Sequence, residues 1–419
     1  KLVQETEKEH EDILEQADET DAVFGELYSW YLRNPEYRSR VQKLVQSAFA
    51  GKPEDIISQS VAKALYGEVS PYSATRLERF AACAFAHFLQ YGMKLTERVE
   101  YEFKPMDMGN VMHEALESFA EEVRKRGMKW TELTEQERNE IADWCLDNIV
   151  ADYGNTVLKS SARNEYMIER TRRILRRTVW ALQKQLEQGE FQPEGFEVTF
   201  GGGRIDRVDI MEDQNKVYVK VIDYKTGNTS FDLVYLYHGL QLQLMIYLDG
   251  ALRVEQKKYP DKEIIPAGVF YYNIKDPMIQ EKIDADVEAV SADLMKELKM
   301  NGLVQSDPEL VYRMDSSLGS IPVAFNKDGS FRKNSSVADR TQFAVLGRYV
   351  RTKIEKIRNS ILEGDAEVSP YELGKKNACT YCPYMTVCGF DRRLSGYEFR
   401  RLKNFSDEEL WKAFDREAE

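Results

Sequence analysis

The sequence predicts an α/β fold in which a small block of β-strands lies between longer helical stretches. Apolar residues recur three and four positions apart over residues 108–126, 163–189 and 232–252, which is the spacing of one buried helix face. Shorter apolar stretches bounded by glycines and polar turns predict strands at 197–200, 204–210, 217–224 and 267–274. Helices on both sides of such a block are typical of an α/β core with helical additions.

Further helices complete the order along the chain. Residues 1–70 are helical in pattern, another helix is predicted over 75–91, and two more over about 283–300 and 338–363. We expect a helical segment that ends a preceding domain, then one main domain, then an acidic helix or tail, at 1–70, 71–405 and 406–419.

The composition excludes several classes of protein. Of the 419 residues, 42% are hydrophobic and 31% are charged, which suits a sizeable core and rules out a wholly disordered chain. The sequence has no run of about 18 apolar residues and no charged-then-apolar leader. We therefore expect a cytoplasmic protein without a membrane partner. The absence of a GxxxxGK[ST] pattern means that these residues do not predict ATP hydrolysis.

The formal net charge of -13 at first argues against a nucleic-acid partner. Most of this charge lies at the two ends of the chain. Residues 1–21 hold nine acids against two lysines, and residues 407–419 hold six acids against two basic residues. The rest of the chain is nearly neutral and contains local basic runs. The overall sign therefore describes the ends and does not exclude DNA.

The strand VYVKVIDYK ends in a carboxylate and an ammonium two residues apart, Asp223 and Lys225. Side chains alternate along a strand, so both point to the same face. A carboxylate that holds a divalent cation, beside a lysine that orients water and offsets negative charge, suits phosphodiester hydrolysis. The competing interpretation is an exposed ion pair, which is the more common outcome for D-x-K alone.

The preceding strand, GRIDRVD, adds a second carboxylate. Asp206 lies mid-strand among apolar neighbours, an unusual position for an acid unless something binds it. Asp209 lies three residues further on and faces the opposite side of a regular strand, so only one of the two acids should reach the site. Alternatively, either acid pairs with Arg204 or Arg207.

Two more polar residues lie on the flanking helices. His113 follows Gly109 by about one turn in GNVMH, so the two share a helix face. This histidine is a candidate metal ligand or acid–base group, although a lone helical histidine is more often structural. Gln241 lies beside the apolar stripe of the helix after Lys225, and taken alone it is an ordinary exposed amide.

In chain order, GxxxH, G-x-I-D, I-D-Y-K and a helix with Q-x-x-x-x-x-Y resemble the RecB-type branch of the PD-(D/E)xK nucleases. The resemblance implies a restriction-endonuclease-like core, which is a small mixed sheet flanked by helices. It implies that Mg²⁺ or Mn²⁺ is held by His113, Asp206, Asp223 and the Tyr224 carbonyl. Lys225 would act on the water nucleophile. Gln241 would position the site or the DNA, and Tyr247 is a weaker candidate.

Five cysteines in a chain without a leader do not predict a disulfide framework. Three of them form C-x2-C-x5-C, at Cys379, Cys382 and Cys388. Zinc is the usual occupant of such clusters, but zinc sites commonly use two pairs, and neither a second pair nor a histidine lies nearby. One remote thiol, Cys83, with three clustered thiols fits a 4Fe–4S cluster, and His87 is its rival as the fourth ligand. Cys145 fits no ligand spacing and is predicted to lie in the core.

An iron–sulfur subgroup of the same nucleases has this layout, with one cysteine ahead of the core and three after it. LYGEVSPYSATRLERFAACAFAHFLQYGMKL and ACTYCPYMTVCGFD are similar to the C-terminal part of the AddB-type family of helicase–nuclease subunits, and the likeness runs from about Leu65 to Leu402. One departure is Ala84, where members often carry proline.

This second resemblance implies a bacterial exonuclease domain that digests unwound, single-stranded DNA during double-strand-break processing. It implies an AddA-type helicase–nuclease subunit as partner, and a 4Fe–4S cluster that joins the two ends of the domain. Free-standing RecB-like or Cas4-type nucleases, a catalytically idle DNA-binding scaffold and a zinc-binding interaction protein stay open as alternatives. The joint presence of His113, Asp206, Asp223 and Lys225 disfavours the idle scaffold.

A basic helical stretch offers candidate contacts with DNA. The arginines predicted to follow phosphates are Arg172, Arg173, Arg176 and Arg177, and Tyr247 is added to them as a weaker candidate. Binding through such arginines would weaken with salt. The competing interpretation is a solvated helix face or an interface with a partner subunit.

Overall fold

The structure is a computed structural model that describes residues 19–49, 56–67, 72–96, 105–152, 161–201, 203–278, 287–394 and 396–418. The acidic beginning of the predicted N-terminal segment, residues 1–18, lies outside the described residues. So does the first part of the helix predicted over 283–300.

Amphipathic stretches form helices close to the predicted bounds. The described α-helices are α1 (Glu19–Arg33), α2 (Pro35–Phe49), α3 (Gln59–Tyr66), α4 (Ala74–Ala82), α5 (Ala84–His87), α6 (Pro105–Lys125), α7 (Glu135–Asp152), α8 (Ala162–Glu187), α9 (Leu233–Tyr237), α10 (Gln243–Lys258), α11 (Val287–Glu297), α12 (Pro308–Met314), α13 (Arg340–Glu363), α14 (Met385–Cys388) and α15 (Asp407–Ala418). A π-helical turn follows α5 at Phe88–Gly92, and a 3-10 turn precedes α7 at Trp130–Glu132.

Six strands form one mixed sheet in the order of the chain. They are β1 (Gln192–Phe200), β2 (Gly203–Asp213), β3 (Lys216–Lys225), β4 (Glu263–Asn273), β5 (Asn301–Gln305) and β6 (Val337–Ala338). The β3–β4 and β5–β6 pairs are parallel and the others are antiparallel. A second, small sheet near the C-terminus has the order β8–β7–β9, from β7 (Tyr371–Leu373), β8 (Lys376–Asn377) and β9 (Arg400–Arg401).

Helices cover both faces of the six-stranded sheet. Tyr218 and Ile222 of β3 pack into a core with α6, α7 and α8, whereas Val219 and Val221 pack into a second core with α4, α10, α13 and α15. This alternation follows from the two-residue period of a strand, and burial on both faces explains the nearly continuous apolar run of β3. The predicted fold class, an α/β core of this kind with helical additions, is confirmed.

Two helices that the sequence predicts as continuous are interrupted. The stretch 75–91 breaks at Cys83, which has extended backbone angles and separates α4 from α5. The stretch 232–252 breaks between α9 and α10, where Gly239 has a φ of +78° and lies against Ala81 of α4. A side chain at Gly239 would be strained by that φ, so this glycine permits the turn. Each break changes the direction of the polar side chains that follow it, compared with one continuous helix.

The second acid of β2 belongs to a buried ion cluster and not to the site. Asp209 is fully buried, binds the Arg207 guanidinium, and lies 3.0 Å from the Lys220 ammonium. The prediction that Asp206 and Asp209 face opposite sides is therefore confirmed, and so is the alternative pairing of Asp209 with Arg207. Among the described helices, none is long and apolar enough to cross a membrane.

Candidate active site

Three carboxylates lie in one row across the first three strands. The register pairs Phe196 with Arg207 and Val198 with Ile205, so Glu197 lies opposite Asp206. The next pair of strands aligns Arg207 with Ile222, and one further step in this antiparallel register places Asp206 opposite Asp223. Directly opposite side chains lie close together on the same face. The sheet itself therefore brings Glu197, Asp206 and Asp223 together.

His113 of α6 reaches the middle of this row. Its Nδ1 lies 3.3 Å from Asp206 Oδ2 and 3.8 Å from Glu197 Oε1. Within the described part of the chain, these three residues are the one group whose ligand atoms all lie within 4.8 Å of one another. A Cβ at Gly109, one turn earlier, would lie 3.4 Å from Thr226 Oγ1, so the Thr226 side chain packs next to this glycine.

Glu197 is a site residue that the sequence pattern did not indicate. It has a φ of +48°, which is uncommon for a residue with a side chain, and it follows a register shift between Pro193 and Gly195. Its second carboxylate oxygen binds Arg204 Nε at 2.9 Å. The signal that would have found Glu197 is the β1–β2 hairpin register, which aligns it with Asp206.

The two ionisable groups at the centre have strongly shifted pKa values. Burial, together with the nearby Asp206 carboxylate, raises the pKa of Asp223 to about 7, although Lys225 opposes both effects. Burial lowers the pKa of His113, but hydrogen bonds to Asp206 and Glu197 and the negative charges around it outweigh burial and raise it to about 10. A divalent cation would relieve this crowding of carboxylates, and His and Asp side chains are suitable donors. The residues present therefore fit a metal.

Lys225 lies directly beside Asp223, as the D-x-K spacing predicts. Its ammonium is ion-paired with Asp223 Oδ2 and donates a hydrogen bond to Gln243 Oε1 at 2.8 Å. Asp223 is 1% exposed, whereas the Lys225 side chain is 26% exposed. The lysine therefore extends from a buried acid toward solvent.

The glutamine at this lysine is Gln243 and not Gln241. Gln241 accepts a hydrogen bond from Asp232 N and donates one to Ser230 O, so it braces the loop before α9. Gln243 instead binds Lys225 and donates to the Tyr247 hydroxyl at 2.9 Å. The prediction that Gln241 reaches the site does not agree with these contacts, because the turn at Gly239 places Gln243 at the start of α10. A Q-x-x-x-Y spacing, one helical turn, was the available signal.

Two tyrosines, Tyr224 and Tyr247, lie beside the site and hydrogen-bond to its side chains. The Tyr224 backbone N–H donates to Asp206 Oδ2 at 2.7 Å. The N–H and C=O of one strand residue point to the same strand edge, so the Tyr224 carbonyl also faces β2, and its role as a ligand stays a prediction. Tyr247 is buried against Phe200 with its hydroxyl on Gln243, which suits support of the lysine better than surface contact with DNA.

A family model described as the PD-(D/E)XK nuclease superfamily matches residues 71–389. The chain belongs to the PD-(D/E)XK nuclease superfamily. Asp206, Asp223 and Lys225 follow one another in the chain as two acids and a lysine, which are the residue types that the family name contains. The six-stranded mixed sheet flanked by helices is the fold of this family in the present chain.

Relatives that match almost the whole chain are bacterial proteins that share one name, which describes a subunit of an ATP-dependent helicase/deoxyribonuclease. The protein from Lachnoclostridium phytofermentans is 41% identical over 96% of this chain, and that from Thermoanaerobacter sp. is 34% identical over 96%. The one from Clostridium acetobutylicum is 34% identical over 95%. The chain spans only 36% or 37% of the length of these relatives. The likeness to the AddB-type family is thereby confirmed.

Beside the nuclease core, the four predicted cysteines line one cavity. Cys83, at the junction of α4 and α5, lines it together with Cys379 and Cys382 from the loop after β8 and with Cys388 at the end of α14. Apolar groups complete the lining, among them Phe85, Val368, Tyr384 and Phe390. Burial and the neighbouring thiols raise the pKa of Cys379 to about 12, so a cationic group there would relieve the crowding of thiolates. The residues present fit a thiolate-bound cofactor.

Two other residues that the sequence singles out, His87 and Cys145, lie outside the cysteine cavity. His87 accepts a hydrogen bond from Arg76 Nε at 3.1 Å and does not line the cysteine cavity. Cys145 is fully buried in the core with α6 and α8, as predicted.

Most of the predicted DNA-contact arginines have acidic partners within the chain. Arg172 binds Asp147 and lies near Asp143, Arg176 binds Asp143, and Arg173 binds Asp276. Arg177 lies over the Trp180 ring at 5.5 Å. These ion pairs connect α8 to α7 and to the segment after β4, and the Arg172 side chain is only 16% exposed, so Arg172 does not lie on a solvated face. DNA contact by the four arginines stays a prediction.

Proposed function

We propose that this chain is a metal-dependent exonuclease domain that hydrolyses the phosphodiester bonds of single-stranded DNA. The observation that carries the proposal is the row of Glu197, Asp206 and Asp223, with His113 at its middle and Lys225 at its end. The name of the relatives includes a deoxyribonuclease and a helicase activity. The first points to DNA as the substrate, and the second points to unwound, single strands.

The side chains that would hold Mg²⁺ or Mn²⁺ are His113, Asp206 and Asp223, with Glu197 as a further candidate beside the Tyr224 carbonyl. When bound, such a cation polarises the phosphoryl group and makes water more acidic. Lys225 orients the attacking water and offsets the negative charge that develops on the phosphate. Gln243 and Tyr247 fix the direction of that ammonium, because the Gln243 amide bonds to both side chains.

The likeness to the helicase/deoxyribonuclease relatives also suggests where this activity is used. We propose that the domain works beside an AddA-type helicase–nuclease subunit in the bacterial cytoplasm, and that it digests a strand unwound by the complex during double-strand-break processing. The family that matches most of this chain is a nuclease superfamily, so we assign the unwinding activity to other parts of the complex.

We also propose that the cysteine cavity holds a 4Fe–4S cluster. Four thiols, one ahead of the sheet and three behind it, line the same cavity. Clusters of this kind are held by four cysteine thiolates, and the resemblance to the iron–sulfur subgroup of these nucleases supports the same occupant. Such a cluster would join α4, ahead of the sheet, to the C-terminal loop behind it.

The function is tested with matched linear and circular single-stranded DNA. We expect the linear form to be degraded with Mg²⁺ and to survive with EDTA, because the carboxylate row lacks an electrophile without a cation. A covalently closed circle of the same sequence should survive in both cases, since an exonuclease needs a free end. Products are followed on denaturing gels from end-labelled substrate.

Two outcomes would contradict this proposal. Cleavage that persists unchanged in EDTA would exclude the metal-dependent site. Circles cut as quickly as linear strands would replace the exonuclease with an endonuclease.

A further inference from the structure

The helix that carries Gln243 begins on a carboxylate from a distant part of the chain. Leu242, at the start of α10, supplies no side-chain cap to the free N–H groups of the first turn. Glu78 of α4 supplies it instead: Oε1 accepts the backbone N–H of Leu242 at 2.7 Å and of Gln243 at 2.9 Å. The N-terminus of a helix attracts a negative charge, so this contact is favourable.

The capped residue is the one that holds the reactive lysine. Gln243 accepts from Lys225 Nζ at 2.8 Å and donates to the Tyr247 hydroxyl at 2.9 Å. Its side chain is thus fixed at both polar atoms, and its backbone is fixed by Glu78. A shift of the first turn of α10 would move the amide that directs the Lys225 ammonium.

Glu78 is a costly group to place here. Burial raises the pKa of Glu78 to about 7, even after the opposing effects of the two backbone N–H groups and of Lys225. An apolar residue would avoid that cost, as Leu77 and Phe80 of α4 do in the core that α4 and α10 share. A carboxylate at this position therefore indicates that the start of α10 must be held in place, and not only that α4 and α10 must pack stably.

We propose that Glu78 is a positioning residue for phosphodiester hydrolysis, which caps α10 and thereby holds Gln243 and Lys225 in register with Asp223. The inference rests on the proposed function. It also relates the two sites of the domain, because α4 carries Glu78 and ends at Cys83, which lines the cysteine cavity. One short helix thus contacts both the cysteine cavity and the helix that directs the lysine.

The test uses the full chain with Glu78→Ala and Glu78→Gln. In Glu78→Ala we expect kcat for linear single-stranded DNA with Mg²⁺ to fall about 10- to 100-fold, since a misplacement of about 1 Å can cost about 100-fold. KM should stay within about twofold of the wild-type value, because neither Glu78 nor Gln243 is expected to contact the DNA away from the cleaved bond. Glu78→Gln keeps an acceptor oxygen and should recover most of kcat. Deuterium uptake over residues 240–247 should rise in Glu78→Ala only.

Glu255→Ala is the matched control. Glu255 is also a buried acid, but it belongs to α10 itself, lies in the last part of that helix, and binds Lys258 at 2.8 Å. We expect it to lower the melting temperature and to leave kcat unchanged. The inference would be overturned if Glu78→Ala had the kcat of the wild type and lost about as much stability as Glu255→Ala. That result would leave the nuclease assignment intact.

A different result separates the two proposals. If Glu78→Ala does not fold, Glu78→Gln serves as the test. A Glu78→Gln protein whose backbone amides at 240–247 exchange rapidly while kcat stays at the wild-type value would still overturn the positioning role. If the wild type cleaves nothing with Mg²⁺, the proposed function fails, and this inference about catalysis fails with it. The deuterium uptake then reports only whether Glu78 caps α10.

Discussion

Asp223→Asn is expected to lower the rate of DNA cleavage at least about 1,000-fold, while the fold and the melting temperature stay close to wild type. The substitution keeps the shape of the side chain but removes the charge that pairs with Lys225 and would hold the cation. Loss of such electrostatic stabilisation costs several kcal/mol, and each 1.36 kcal/mol is tenfold in rate. Single-turnover cleavage of end-labelled DNA with Mg²⁺ measures the effect.

Asp213→Asn is the matched control for this variant. Asp213 ends β2 and pairs with Arg313 at 2.7 Å, seven residues from Asp206. It should cleave at the wild-type rate. A rate for Asp223→Asn within about tenfold of wild type, in protein free of contaminating nuclease, would show that this acid does not serve the chemistry.

Cys379→Ser is expected to remove the visible absorbance of anaerobically purified protein and to lower its melting temperature by about 10 °C. A group that binds only the folded state adds its binding free energy to stability, about 3 to 4 kcal/mol at 100 to 1,000 times the dissociation constant. For a domain of this size, each kcal/mol corresponds to a few degrees. Iron and sulfide analysis, absorption spectra and thermal melting report the loss.

Cys145→Ser is the control with the same chemical change. Cys145 is fully buried in the core and away from the cavity, so this variant should lose some stability and keep its iron. Colourless wild-type protein that holds one zinc ion would contradict the cluster. Unchanged iron content in Cys379→Ser would contradict its place as a ligand.

The parts of the site that lie on regular strands are predictable from sequence. Asp223 and Lys225 share a face because a strand has a period of two, and the same period separates Asp206 from Asp209. His113 is predictable as a candidate because Gly109 and His113 lie one turn apart on an uninterrupted helix. Local periodicity decides each of these positions.

Other parts of the site depend on events that periodicity does not encode. Glu197 reaches the row through a positive φ after a register shift, and no single-strand pattern predicts that shift. The apolar stripe of 232–252 continues through the turn at Gly239, so the sequence predicts one helix and selects Gln241 in place of Gln243. The break at Cys83 is a second case, because the apolar spacing of 75–91 continues through a residue with extended backbone angles.

The contact between Glu78 and α10 joins residues 164 and 165 positions apart, so no local pattern can predict it. The cysteine cavity is a similar case. The spacing of Cys379, Cys382 and Cys388 indicates three ligands, but the participation of Cys83 rests on a resemblance until the fold places it in the same cavity.

The nitrogen coupling of bound Mn²⁺, measured by pulsed electron paramagnetic resonance, reports on the metal centre itself. A centre built on His113, Asp206 and Asp223 should give a ¹⁴N modulation in the wild type, lose it in His113→Gln, and retain it in His238→Gln. His238 binds the Lys403 carbonyl and lies outside the carboxylate row, so it serves as the control. A Mn²⁺ signal without nitrogen coupling, or a coupling that survives in His113→Gln, would contradict a metal centre at these three residues.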